Sequence, residues 1–139
     1  DIYHHLDDFD ESRAFYKKAM SLDPSNVTAA NNYAYFLAKR DLDLDKALEL
    51  IEKAIDKSPN NGSFQDTYAY VLYKLERYDE ALTWARRAYK NAPSAEVAEH
   101  LGDIHAAMGN STKAREYWQE ALEEDTDNAE LKAKLDGLK

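Results

Sequence analysis

Cysteine is absent from this chain of 139 residues, which removes disulfides, thiolate metal sites and thiol nucleophiles while leaving the redox compartment open. Glycine is scarce as well: Gly62, Gly102, Gly109 and Gly137 never cluster, so no glycine-rich phosphate loop is available. No apolar run approaches the roughly 20 residues of a membrane-crossing helix, and no basic-then-apolar leader opens the chain. A soluble piece that does not itself enter a membrane is expected. Because it begins at Asp1 and not at Met, an excised fragment is expected too, with the parent's targeting out of sight and the compartment unknown. Positive charge is the minority, 18 Lys and Arg against 27 Asp and Glu, for a net −9. A phosphate-binding surface needs concentrated cations, so nucleic acid and anionic membrane are disfavoured as partners. What is present is 44% hydrophobic residues, enough to bury the core of one domain.

Internal repetition organises the rest. The triplet Tyr-Ala-Tyr stands at 33–35 and again at 68–70, and the three prolines, Pro24, Pro59 and Pro93, are 35 and 34 residues apart, with Thr126 in the fourth slot. Small polar residues follow each: "PSN", "PNN", "PSA", then "TDN". Proline cannot continue a preceding helix, and Ser, Asn and Asp side chains accept the unpaired N–H groups that open the next one. Each site reads as a helix end followed by a helix start.

Between these sites the apolar spacing is helical. Tyr68, Ala69, Leu72 and Leu75 follow an i, i+1, i+4, i+7 stripe, and Ala81, Ala85 and Ala88 share a face after the break at "ERYDE". Similar pairs occupy 27–57 and 95–124, broken at "DLDLD" and "GNST". Small residues recur where the second helices open, at Ser12, Ala47, Ala81 and Ala114, and seven residues on at Ala19, Ala54, Ala88 and Ala121. Small side chains two turns apart let helix axes approach closely.

These residues resemble the tetratricopeptide repeat family, whose helix-turn-helix unit of 34 residues carries W-x2-L-G-x2-Y, then A-x3-F and P. In "HLGDIHAAMGNSTKAREYWQEAL", Leu101 and Gly102 match the Leu-Gly pair, Ala114 and Trp118 the alanine-aromatic pair, and Ala121 the closing alanine. The resemblance implies an all-α, right-handed superhelix of antiparallel helix pairs. It divides the chain into a truncated repeat at 1–26, repeats at 27–61, 62–94 and 95–128, and a capping helix at 129–139. In that last helix Leu131, Leu135 and Leu138 form the apolar stripe, and Glu130, Lys132, Lys134 and Asp136 are expected to face water. One extra residue is placed in the turn of the first full repeat, and one fewer at "APSA". The order of motifs also resembles the C-terminal repeats of bacterial multi-repeat proteins and lipoproteins, which implies a parent in the periplasm or at the outer membrane that scaffolds or regulates an envelope enzyme complex.

Function must lie in what the repeats do not share. The second stripe of each first helix carries Thr28, Asn31, Tyr35 and Ala38, then Ser63, Asp66, Tyr70 and Tyr73, then Glu96, Glu99, Asp103 and Ala106. The resemblance implies that such residues line a concave groove that binds peptides. The expected partner-binding set is therefore Asn31, Tyr35, Asp66, Tyr70, Tyr73, Glu96, Glu99 and Asp103, running from amide and tyrosine to a purely acidic end. Exposed tyrosines suit recognition; packing between neighbouring helices is the plainer alternative. The acidic end repels a carboxylate, so the chaperone-tail clamp of some family members is not expected.

Charge is uneven. Residues 62–94 carry five basic and four acidic side chains, whereas 95–128 carry two and nine. Arg86, Arg87 and Lys90 form a possible second patch on the presumed convex side, for which a solvated helix face is the plainer account. His4 and His5 are adjacent and His100 and His105 five apart, so the i, i+4 histidine pair of a helical metal site is missing. "EVAEHLGD" does bring Glu96, Glu99, His100 and Asp103 within two turns, but an open polar groove explains the same residues, and no metal or cofactor is expected. Nothing places a base beside a nucleophile in a pocket. A non-catalytic scaffold that binds a protein or peptide is expected, with self-association through terminal repeat surfaces as the alternative.

Overall fold

The computed structural model describes residues 2–23 and 25–138, with side chains from residue 10 onward; Pro24 and the side chains of His4 and His5 lie outside the described residues. Among the described residues eight helices follow one another: α1 (Ile2–Leu22), α2 (Val27–Lys39), α3 (Leu44–Lys57), α4 (Gly62–Lys74), α5 (Tyr78–Asn91), α6 (Ala95–Ala107), α7 (Ser111–Glu124) and α8 (Ala129–Asp136). Helices α2 and α3, α4 and α5, and α6 and α7 pair as antiparallel hairpins, and each second helix packs on the first helix of the next pair. The result is an all-α solenoid of helix pairs.

The capping residues after the three prolines and after Thr126 act as their chemistry dictates. Asn26 accepts from the Ala29 N–H at 3.0 Å, Asn61 from Phe64 at 3.1 Å, Ser94 from Val97 at 3.2 Å and Asn128 from Leu131 at 3.1 Å. Inside each pair the chain reverses by one device. Asp41, Glu76 and Gly109 adopt left-handed backbone conformations at equivalent positions, and the N–H groups of Leu42, Arg77 and Asn110 bond back to the carbonyls of Leu37, Leu72 and His105, the closure typical of a helix C-terminus. The α2–α3 turn is one residue longer than the other two and has a second left-handed residue, Asp43.

The core is a stack of three clusters along the solenoid. The first joins α2, α3 and α4, with Tyr16 and Met20 of α1 against it; the second joins α4, α5 and α6; the third joins α6, α7 and α8. Ala47, Ala54, Ala81, Ala88, Ala114 and Ala121 are all fully buried at the helix crossings. Tyr33 is buried as its stripe requires, whereas its counterpart Tyr68 is half-exposed, its ring tilted against Trp84 at 4.9 Å and its hydroxyl donating to Glu52. Gly102 differs from the other small first-helix sites in facing a large aromatic: a Cβ there would lie 2.3 Å from the Trp118 indole.

Adjacent first helices touch, α2 with α4 and α4 with α6, whereas among the described residues no second helix packs comparably on the next second helix. Helices crowd on the inside of a curve and splay on the outside, so the first helices line the concave face.

Candidate functional site

Because successive pairs stack as copies, equivalent positions of α2, α4 and α6 form rows across the concave face: Asn31 with Asp66 and Glu99, Tyr35 with Tyr70 and Asp103, Thr28 with Ser63 and Glu96. The tyrosine row is in contact, with the Tyr35 and Tyr70 rings 5.4 Å apart. His100 extends it, stacked on Tyr70 at 4.6 Å and 6.5 Å from Tyr35. Both tyrosines are half-buried, so they pack between repeats and line the groove at once. Lys39 and Lys74 hold their ammonium groups 5.6 and 5.7 Å from the Tyr35 and Tyr70 ring centres, within cation–π range.

His100 is buried and its Nδ1 lies 2.8 Å from Oδ1 of Asp66 on the preceding first helix. Burial opposes the imidazolium, but the Asp66 carboxylate, with Glu96 and Asp103 behind it, outweighs that penalty and holds the ring above the ordinary imidazole range. Tyr35 is driven well above the usual phenol range by burial and then by the Glu96 carboxylate, to which its hydroxyl donates. Burial, followed by the charges of Asp103 and Asp41, pushes Tyr70 up to about 12. The groove hydroxyls therefore stay neutral and act as donors.

The far end of the groove departs from the acidic surface expected of α6 alone. Lys134, on α8 and expected to face water, turns inward and donates to Glu99 Oε2 at 2.6 Å and Asp103 Oδ1 at 2.8 Å. Trp118 Nε1 also donates to Asp103 Oδ1, at 3.1 Å. Burial raises the Asp103 pKa in spite of Lys134, and hydrogen bonds from Lys134 to Asp103 and Glu99 raise Lys134 in spite of burial. Glu99 and Asp103 are thus largely engaged within the fold.

Two clefts result. The larger, about 620 Å³, has Tyr35, Tyr70, Glu96, His100, Asp103 and Lys134 among its walls; the smaller, about 270 Å³, is lined by Tyr16, Asn31, Asn32, Tyr35, Ser63, Asp66, Thr67 and Glu96. They share Tyr35 and Glu96 as a common wall. Of the expected set, Asn31, Tyr35, Asp66, Tyr70, Glu96, Glu99 and Asp103 meet at these clefts, while Tyr73 lines neither and packs between Tyr70 and Tyr78. Spacing within one helix could not reveal Lys134, Tyr16 or the Asp66–His100 pair, the last joining Asp66 to the residue after its row counterpart Glu99.

The second patch lies on α5. Arg87 stacks on Trp84 at 4.6 Å, whereas Arg86 sits near His105, whose pKa is lowered first by burial and then by Arg86 and Lys113. Lys90 is exposed on the same helix, α5. As for metals, Asp66, Glu96 and His100 bring ligand atoms within 4.8 Å of one another. The His100 nitrogen nearest the cluster is already engaged by Asp66, and a structural transition-metal site needs about four ligand atoms at roughly 2.0–2.3 Å. The trio is better suited to holding the groove wall than to coordinating an ion.

Fold and groove together define a helical-repeat protein with an open, cleft-bearing concave face. The tetratricopeptide repeat-like domain family matches residues 30–139 and the tetratricopeptide repeat family residues 1–26; the chain belongs to the tetratricopeptide repeat family. Among solved structures it is similar to TTC0263, a thermophilic repeat protein of Thermus thermophilus, at 17% identity and TM-score 0.78 over 96% of this chain and 74% of that one. It is similar to pilF of Pseudomonas aeruginosa at 22% identity and TM-score 0.78, over 98% of this chain and 62% of that one. YrrB, a repeat protein with an unusual peptide-binding site, shares 20% identity at TM-score 0.70 over 86% of this chain and 62% of that one. At these identities the likeness concerns the fold. No curated protein sequence matches significantly. Members of the family are typically non-catalytic interaction scaffolds.

Proposed function

We propose that this chain is a scaffold that holds a peptide or extended protein segment along the concave face of α2, α4 and α6. The observation that carries this reading is the pair of adjoining clefts divided by Tyr35 and Glu96, which offer successive side-chain receptors spaced along one strip. The half-buried Tyr35 and Tyr70 rings supply contact area with little entropy to lose, and their hydroxyls add polar character. The peptide-binding site of YrrB lends support by analogy. Affinity capture from the source organism, followed by hydrogen exchange on the complex, tests the reading: protection should concentrate on α4 and α6, and protection confined to α3, α5 and α7 would overturn it. The identity of the captured protein also decides whether the role extends to an envelope enzyme complex.

Self-association is favoured by a separate observation, the exposure of Phe15 and Leu22 on α1, 69% and 77%. Sedimentation across a concentration series tests it. A dimer that disappears with Phe15→Ser and Leu22→Ser supports association through α1, and a concentration-independent monomer refutes it.

A further inference from the structure

We propose that the smaller cleft is a receptor for a cationic side chain, arginine in particular, presented by the segment that occupies the groove. The inference rests on the groove reading and names the chemistry that the groove selects. The cleft has a volume of about 270 Å³, and its charged wall residues are Glu96 and Asp66, the latter paired with His100 at 2.8 Å, so Glu96 is the carboxylate that stays available; among the described residues neither Lys nor Arg lines it. A recess walled by carboxylates repels anionic groups and attracts cations.

A second observation is independent of charge. Asn31 is only 7% exposed and lines the same cleft. Its amide nitrogen donates to Asn32 Oδ1, but its own Oδ1 is buried without a hydrogen-bond partner among the described residues. A buried acceptor left unmade costs free energy that a donor from outside would recover. The complementary group must therefore carry N–H or O–H, and the carboxylates beside it favour one that is positively charged. Glu96 is exposed, so its carboxylate accepts the Tyr35 hydroxyl and keeps further acceptor capacity. The Tyr35 ring walls the cleft and offers a π face to a cation, for which the Lys39 ammonium, 5.6 Å from the ring centre, competes. A guanidinium is planar and holds five donors in a fixed fork, so it can engage a carboxylate and an amide carbonyl together while lying against the ring. An ammonium is a compact, strongly hydrated point charge and meets these demands less well.

The test uses the intact chain, ¹⁵N-labelled, titrated by NMR with an acetylated and amidated pentapeptide of alternating glycine and arginine. Parallel titrations replace arginine with citrulline, which keeps the shape and loses the charge, or with glutamate. The arginine peptide should shift the amides around Asn31 and Glu96 and bind at least about fivefold tighter than the citrulline peptide at low salt, an advantage that shrinks as salt rises. The glutamate peptide should not bind. Glu96→Gln should weaken the arginine peptide about threefold or more, whereas Arg87→Ala should leave it unchanged. Asn31→Leu removes the orphaned acceptor, so it should weaken the peptide while raising the Tm of the free chain. Equal affinity for the arginine and citrulline peptides would overturn cation recognition and leave the groove reading standing. Arginine-peptide shifts confined to the acidic surface of α7 would count against both. Absence of arginine-peptide binding at millimolar concentration would overturn this inference alone, since the groove reading is tested on the captured partner.

Discussion

Gly102 and Trp118 share one helix crossing, and each constrains the other. The equivalent crossings use Ala69 with Ala85 and Ala34 with Ile51, so the repeat tolerates different ways of filling one volume. Adding a methyl at Gly102 drives it into a rigid indole, and Gly102→Ala should cost about 1–3 kcal/mol. Adding Trp118→Ala to that variant should cost less than the sum of the two single changes, because the pair then reproduces the Ala69 and Ala85 arrangement; chemical denaturation of all four proteins measures the coupling. His100 provides a pH test. The folded protein holds its pKa above the free value of about 6.5, so protonation favours the folded state. That contribution is complete below about pH 6.5 and is lost as pH rises through the folded value. The Tm advantage of the native protein over His100→Gln should therefore be larger at pH 6 than at pH 9, and a gap that does not change would mean that Asp66 and His100 are not coupled.

At the scale of helices, α8 does two jobs. Leu131 is fully buried against α6 and α7, with Leu135 and Leu138 beside it, and Lys134 closes the groove end on Glu99 and Asp103. Leu131→Ala should cost about 2–5 kcal/mol in denaturant melts, and removal of 129–139 should expose the third core cluster and promote aggregation. Lys134→Met keeps the packing but leaves two half-buried carboxylates without their cation, so its stability should fall at neutral pH and recover as pH drops and Asp103 is protonated. The helices themselves were legible in the chain because the proline and asparagine punctuation, the small residues at crossings and the 3.6-residue stripes all follow from local chemistry. Caps Asn26, Asn61, Ser94 and Asn128 stand where that chemistry puts them. The inward turn of Lys134 was not legible in the same way: an i, i+4, i+7 stripe identifies the buried face of α8 but not what its flank meets, and Glu99 lies one repeat, 35 residues, away.

Across the whole molecule, the packed core and the open concave face lie in different layers. The alanine crossings and three stacked clusters hold the pairs together, while the first helices leave an open strip of rings and polar groups. Row membership could be read from the period alone, which is why Tyr35, Tyr70 and Glu96 were identifiable in the chain. Tyr73 turns towards Tyr78 of the same helix pair, a contact that the row pattern does not encode. On α5, Arg87 stacks on Trp84 three residues earlier on the same helix, while the Arg86 charge acts on His105. The central claim is that the concave face, not α5, binds the partner. Isothermal titration of the captured partner against two folded variants tests it: Tyr35→Ala with Tyr70→Ala, and Arg86→Glu with Arg87→Glu. The account predicts that the tyrosine pair loses at least about 1 kcal/mol of binding and the arginine pair is unaffected; loss of binding in the arginine pair with the tyrosine pair unchanged would contradict it.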